Sequence, residues 1–174
     1  PINSFLTQLE LEKIPMIDKA GLAILGNDNF LLESLNKKKG QSYIDDYVAW
    51  TVSSSKCLGL KVINAGGSEV FKQGVQSFEL DDIVPTYGVS SRQILKALNK
   101  ANENVKIEHP LHVHCNNLGM PGNVKTALDT IDASEGRRMH LAHVQFYGYD
   151  DKGKRGFSSG AFELSEKINK NSNI

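Results

Sequence analysis

The sequence predicts an α/β fold built on a parallel sheet, about half of a (β/α)8 barrel. Three observations carry this expectation. Strand-like and helix-like segments alternate four times along the 174 residues, the order that gives a parallel sheet flanked by helices. The strand segments are nearly continuous apolar runs, as parallel strands buried on both faces are. The connections are also asymmetric. Helix-to-strand turns are tight, as at Cys57–Leu58 and Gly136–Arg138, whereas strand-to-helix loops are long. Long loops after the strands are what a TIM barrel uses to build its active site. No G-x-G-x-x-G follows any strand, which argues against a dinucleotide-binding sheet.

After a polar opening, "GLAILG" (21–26) reads as the first strand. "NDNFLLESLNKKKG" follows as a helix with Phe30, Leu31 and Leu35 on one face and lysines toward its end, where they suit the negative pole of the helix dipole. In "SYIDDYVAWTVSSSK", Ile44, Tyr47, Val48 and Thr51 recur at helical spacing, and Ser42 with Asp45 resembles a capping box. "LGLKVINAGG" (58–67) is the second strand, stopped by two glycines. Residues 67–89 lack periodicity and read as a long loop. "SSRQILKALNKANENV" is a helix capped by Ser90 and Gln93, with Ile94, Leu95 and Leu98 facing inward. The strand "PLHVHC", the helix "NVKTALDTIDASEG", the strand "MHLAHVQF", a loop and the helix "SSGAFELSEKINKN" complete the order. The whole chain, 1–174, reads as one domain.

With 20 basic and 20 acidic residues, the net charge gives no reason to expect nucleic acid or an anionic membrane as partner. No apolar run approaches the length of a membrane span. Cys57 and Cys115 form neither a C-x-x-C ligand pair nor a disulfide framework, so a reducing cytoplasm is the expected compartment.

Four polar features fall at or near the C-terminal ends of strands: Lys61, His112 with His114, His140 with His143, and Asn116–Asn117. Each has an ordinary structural reading beside a functional one. A strand lysine is commonly an edge residue. His112 and His114 alternate onto one strand face and can both be metal ligands or both be hydrogen-bonded core residues. His140 and His143 are an odd number apart, so a continuous strand sends them to opposite faces and admits only one to an inward site. Asn116–Asn117 before "LGMPG" suits a turn. Together, three successive strands deliver a lysine and two histidines toward one mouth. An ammonium has no lone pair for a metal. A buried lysine with a lowered pKa can instead react with carbon dioxide to give a carbamate, whose carboxylate can bridge two cations.

The lysine–histidine–histidine order on consecutive strands resembles the amidohydrolase superfamily. "MIDKAGLAILGND", "DYVAW", "GLKVINAGG", "HPLHVHCNNLGMPGNVKT", "GRRMHLAHVQFYGY" and "FSSGAFELSEKIN" resemble, more narrowly, the A subunit of formylmethanofuran dehydrogenase and its bacterial counterpart in the formyltransferase/hydrolase complex. The resemblance runs from about Pro15 to the end. It implies that the chain is the central part of one metal-dependent amidohydrolase barrel domain, about four βα units (strands 3 to 6). It matches Lys61 to the carboxylated lysine of the fourth barrel strand, His114 to the fifth-strand ligand and His143 to the sixth-strand ligand, with His112 supporting. The family's first-strand His-x-His and eighth-strand aspartate have no counterpart here, so a partial chain is expected.

The activity implied is interconversion of N-formylmethanofuran with formate and methanofuran. It would use two zinc ions bridged by carboxylated Lys61, within a complex of several subunits. Asn116 and Asn117 are candidate substrate-binding residues, and the loop 67–89 is a candidate cover. Two other readings stay open: a cyclic amidohydrolase of the hydantoinase or dihydroorotase kind, and a non-catalytic scaffold subunit. Lacking half its strands, the chain alone is expected to leave Val62, Val113 and Val144 partly uncovered in the barrel's inner layers, and to be marginally stable and inactive.

Overall fold

The structure, a computed structural model, describes residues 2–174, with side chains described from Leu6 onward. In chain order its elements are α1 (Ile2–Glu12), β1 (Leu22–Ile24), α2 (Asn29–Asn36), α3 (Gln41–Ser55), β2 (Gly59–Ile63), α4 (Gly67–Lys72), β3 (Ile83–Val84), β4 (Val89–Ser90), α5 (Ser91–Asn104), β5 (Leu111–His114), α6 (Asn123–Ala133), β6 (Met139–Leu141), β7 (Tyr149–Asp150), β8 (Ser158–Ser159) and α7 (Ala161–Asn169). Four strands form one parallel sheet in the order β1-β2-β5-β6. Each neighbour is thus the next long strand in the chain, with at least one helix in between. The hairpins β3–β4 and β7–β8 lie outside that sheet.

Strand alternation divides the sheet into two unlike faces. Leu60, Val62, Leu111, Val113 and Met139 are almost wholly buried in one core with Leu31, Leu32, Ile44, Val48, Ile94, Leu95 and Leu98 from the helices. Each such side chain contributes roughly 1.5–3 kcal/mol by leaving water. The residues between them, Lys61, Ile63, His112 and His114, are half-exposed and His140 is exposed. Ile24 on the same face is 55% exposed. The expectation for Val62 and Val113 is therefore corrected: they lie under the helices, and the uncovered layer consists of their sequence neighbours. On one strand Val62 and Lys61 cannot face the same way, and it is Lys61 that faces outward from the core.

Local chemistry sets the element ends. Ser90 and Gln93 make the expected capping box: the Gln93 N–H donates to Ser90 Oγ at 3.3 Å and the Ser90 N–H to Gln93 Oε1 at 2.8 Å. The Asp28 carboxylate caps α2 through the Leu31 N–H at 2.9 Å and also accepts from the Tyr47 hydroxyl at 2.9 Å. The expected Ser42–Asp45 box is not formed. Helix α3 begins two residues earlier, with Gly40 at its N-cap in place of Ser42, and Asp45 accepts from the Gln41 side chain instead. Phe30 turns outward from α2, 45% exposed, against Tyr43 and Tyr47.

Residues 67–89 hold the short α4 and the β3–β4 hairpin. Phe78, Leu80 and Val84 anchor the segment in the core. Gly66 enters it with φ +74°, and a Cβ there would run into Val84, so a side chain is excluded twice over. Arg92 fastens its middle, with Nε 2.6 Å and Nη2 2.8 Å from the Asp81 carboxylate. Among the described residues no helix is long and apolar enough to cross a membrane.

Candidate metal centre on the open sheet face

All five histidines of the chain sit on or beside β5 and β6, and four of them meet on the open face of the sheet. Register explains the grouping. Ile24 pairs with Lys61, Lys61 with His112, and His112 with His140, so one row of side chains crosses all four strands. Within it Lys61 Nζ lies 2.7 Å from His112 Nδ1. The His112 ring stacks on His140 at 4.6 Å and 19°, and His109 flanks both at 6.3 and 6.4 Å.

The next level toward the C-terminal strand ends contains His114, register-paired with Ile63, and His143. Their rings meet edge to face at 5.0 Å, with Tyr147 6.0 Å from His114. Tyr147 is itself buried and its hydroxyl donates to the Cys115 carbonyl at 2.9 Å. His143 reaches this place because β6 ends at Leu141. His143 then takes a left-handed conformation, φ 57° and ψ 36°, before a 3-10 turn over Val144–Phe146. The expectation from strand parity is corrected here. It assumed a continuous strand through His143, whereas the backbone reverses its alternation at that residue. His140 and His143 both lie on the open side, at different levels.

The electrostatics favour neutral donors. Burial, reinforced by the charges of Lys61 and the neighbouring histidines, pushes His112 down to about 4. Burial followed by His143 and Lys61 lowers His114, and burial lowers Lys61. An imidazole that stays unprotonated at neutral pH keeps a lone pair for a metal. Among the described residues no three His, Cys, Asp or Glu side chains are grouped to hold a metal ion. His114 and His143 fit part of a nitrogen ligand set. Lys61, one level below, fits only if it acquires an anionic oxygen.

Asn116 and Asn117 are occupied elsewhere. The buried Asn116 amide donates to the Phe78 carbonyl at 3.1 Å and to Ser91 Oγ at 2.8 Å. Asn117, left-handed at φ 60°, accepts from the Phe78 N–H at 2.9 Å and donates to Glu79 Oε1 at 2.7 Å. Thr126 donates to the same carboxylate at 2.8 Å. Both amides therefore tie the segment 67–89 over the end of β5. Asn123 joins the loop after β5 to the turn after β6, donating to the Asn117 and Phe146 carbonyls at 2.9 and 2.7 Å. Sequence reasoning missed Glu79, Thr126 and Asn123 because their partners lie across loops. The pairing of His140 with His112 could have been found by lining up the strands. An apolar cleft of about 830 Å³ lies between the β6 exit and α7, lined by Val144, Tyr149, Phe157, Leu164 and Ile168; neither Lys61 nor any histidine lines it.

No family model matches the sequence. The A subunit of the formyltransferase/hydrolase complex Fhc of Methylorubrum extorquens is 47% identical over 170 residues, covering 97% of this chain and 31% of that protein. Protein FwdA of Methanocaldococcus jannaschii is 33% identical over 185 residues, covering 100% of this chain and 32% of that protein. The crystal structure of the complex FhcABCD from Methylorubrum extorquens with methylofuran contains a similar chain. It matches with a TM-score of 0.93 and 45% identity, over 98% of this chain and 32% of that one. The chain thus spans about a third of the length of the curated relatives it matches. Over that third, in sequence and in fold, the chain belongs to the family of FwdA and the Fhc A subunit.

Proposed function

We propose that these residues are the third to sixth βα units of a zinc-dependent amidohydrolase barrel. On this reading the full-length polypeptide interconverts a formylated furan coenzyme, N-formylmethanofuran or its methylofuran counterpart, with formate and the free amine. It would act in the cytoplasm as one subunit of a formyltransferase/hydrolase or formylmethanofuran dehydrogenase complex. The observation that carries this is the meeting of His114 and His143 on the open face, toward the C-terminal strand ends, with Lys61 one level below them on the same face, in a chain 47% identical to the Fhc A subunit. That is where a (β/α)8 barrel holds its chemistry. The parallel sheet with neighbours in chain order and one helix-covered face supports the barrel reading. The free thiols of Cys57 and Cys115 suit a reducing compartment.

Zinc, when bound, polarises a carbonyl and brings the pKa of its water toward neutrality. The chain's own residues have separate tasks. His114 and His143 present ring nitrogens. Lys61, carboxylated, presents an oxygen anion where its ammonium would repel a cation. The segment 67–89, tied down by Asn116 and Asn117, roofs the β2 and β5 ends and limits access of water. The two asparagines then act on substrate through the shape of that roof.

The test is metal analysis of the full-length polypeptide together with hydrolysis of the formylated coenzyme. About two zinc ions per chain are expected, lost with activity in Lys61→Ala, His114→Ala and His143→Ala. His140→Ala should keep its zinc. A wild-type protein without stoichiometric zinc would overturn the proposal and favour a scaffold role.

A further inference from the structure

The level below the proposed ligands contains a contact that the metal chemistry does not explain. Lys61 is the cation of the row that crosses the sheet, and its Nζ lies 2.7 Å from His112 Nδ1, on the residue register-paired with it. The His112 ring is itself held, stacked on His140 at 4.6 Å and 19°. A free lysine side chain with four rotatable bonds loses considerable entropy when it is fixed. Here the ring that fixes it is already immobilised.

We propose that His112 is a positioning residue for the carboxylation of Lys61, with its Nδ1 holding the lysine nitrogen before and after the reaction. The inference rests on the zinc–carbamate reading above. In the step, the Nζ lone pair forms a bond to the carbon of carbon dioxide, and one C=O π pair moves onto oxygen as the carboxylate charge. The ammonium has first given one proton to water, which frees that lone pair, and Nζ gives up a second proton once the bond has formed; nothing is oxidised or reduced. An amine and a carbamate nitrogen both keep an N–H. With its ring proton on Nε2, His112 accepts from that N–H in either state, and more strongly from the carbamate, whose N–H is polarised by conjugation, so the contact favours the carboxylated lysine. It leaves the new carboxylate as the mobile end, free to turn toward the His114–His143 level. A histidine serving only the stack would not direct Nδ1 at the lysine of the row.

The test uses the full-length polypeptide and the carbon-13 NMR signal of the lysine carbamate, titrated with labelled bicarbonate and absent in Lys61→Ala. His112→Phe keeps a ring on His140 but removes the nitrogen. His112→Gln puts an amide near the Nε2 position, and His112→Asn puts one near Nδ1. Loss of a hydrogen bond to a charged group predicts that the Phe and Gln variants need about 10- to 100-fold more bicarbonate for half-occupancy. The Asn variant should stay within about threefold of wild type, because it restores that bond. If the Phe variant fails to fold, the Gln–Asn pair carries the comparison. Phe and Gln variants that carboxylate like wild type, or an Asn variant as weak as they are, would overturn the role of His112 alone. A wild-type protein without any carbamate signal would overturn the bridging lysine and this inference together.

Discussion

The two faces of the parallel sheet are made by the same strands and differ in almost everything else. On the covered face, Leu60, Val62, Leu111, Val113 and Met139 are sealed under helices. On the open face, one residue along, stand Ile24, Lys61, His112, His114 and His140. The covered face contributes the burial that makes the fold. The open face contributes little to burial and concentrates the histidines of the chain. Stability and chemistry are thereby separated by a single step along each strand, and a substitution should report on one or the other according to parity.

The largest expected effect is on the covered face. Leu111→Ala should destabilise by about 2–5 kcal/mol, the range for deleting a fully buried leucine. Ile24→Ala, on the open face, should cost clearly less, because the described residues leave it exposed and only the remaining barrel strands would cover it. Denaturant unfolding of both variants in the full-length polypeptide checks the contrast, and equal losses would break it.

A smaller effect is expected where the two regions are tied together. Asn117→Ala removes three side-chain hydrogen bonds, to the Phe78 N–H, Glu79 and Thr126, from a half-buried position. A cost of about 1–3 kcal/mol follows for the groups left unpaired. Hydrogen exchange should show the loss concentrated in residues 76–84, with the sheet amides unchanged. Uniform acceleration would mean that the segment 67–89 is part of the main cooperative unit.

The covered side should also resist thiol chemistry. Burial pushes Cys115 up to about 12 from its ordinary 9.0. Above the ordinary value an unfolded chain ionises this thiol while the folded one keeps its proton. Its contribution to stability is therefore intact below about pH 9 and is lost progressively as the pH rises toward 12. Cys115→Ala should flatten that alkaline limb. Near pH 8 a thiol reagent should modify Cys57 well before Cys115, and simultaneous labelling would contradict the burial.

The smallest effect belongs to the surface. Lys96 and Arg137 hold the exposed Glu135 down to about 2. A depressed carboxylate stabilises above its unfolded pKa and loses that contribution as the pH falls through about 2. Exposed pairs are well screened, so Glu135→Gln should change only the acid limb, and less than any variant above.

Much of this was legible in the sequence because the signals were local. The Ser90–Gln93 box, the apolar runs of β2 and β5 and the Ile94–Leu95–Leu98 stripe each lie within one turn or one strand. The four parallel strands follow from their alternation with helices. What was missed was either too short or too distant. Six residues of α4 and two-residue strands carry no readable period. The reversal at His143 depends on a left-handed turn that a histidine does not announce. The Asn116 and Asn117 partners, Phe78 and Glu79, are 38 residues away. The placement of Val62 and Val113 was decidable, since their alternation with Lys61 and His112 already opposed them.

The proposal that the open face holds a metal through His114 and His143 is tested most directly by anomalous diffraction at the zinc edge from crystals of the full-length polypeptide. The account predicts strong peaks on the open side toward the C-terminal strand ends, one of them at about 2.0–2.1 Å from a ring nitrogen of His114 and of His143. Peaks confined to the lower His112–His140 level, or zinc-loaded crystals with no peak on this face, would contradict it.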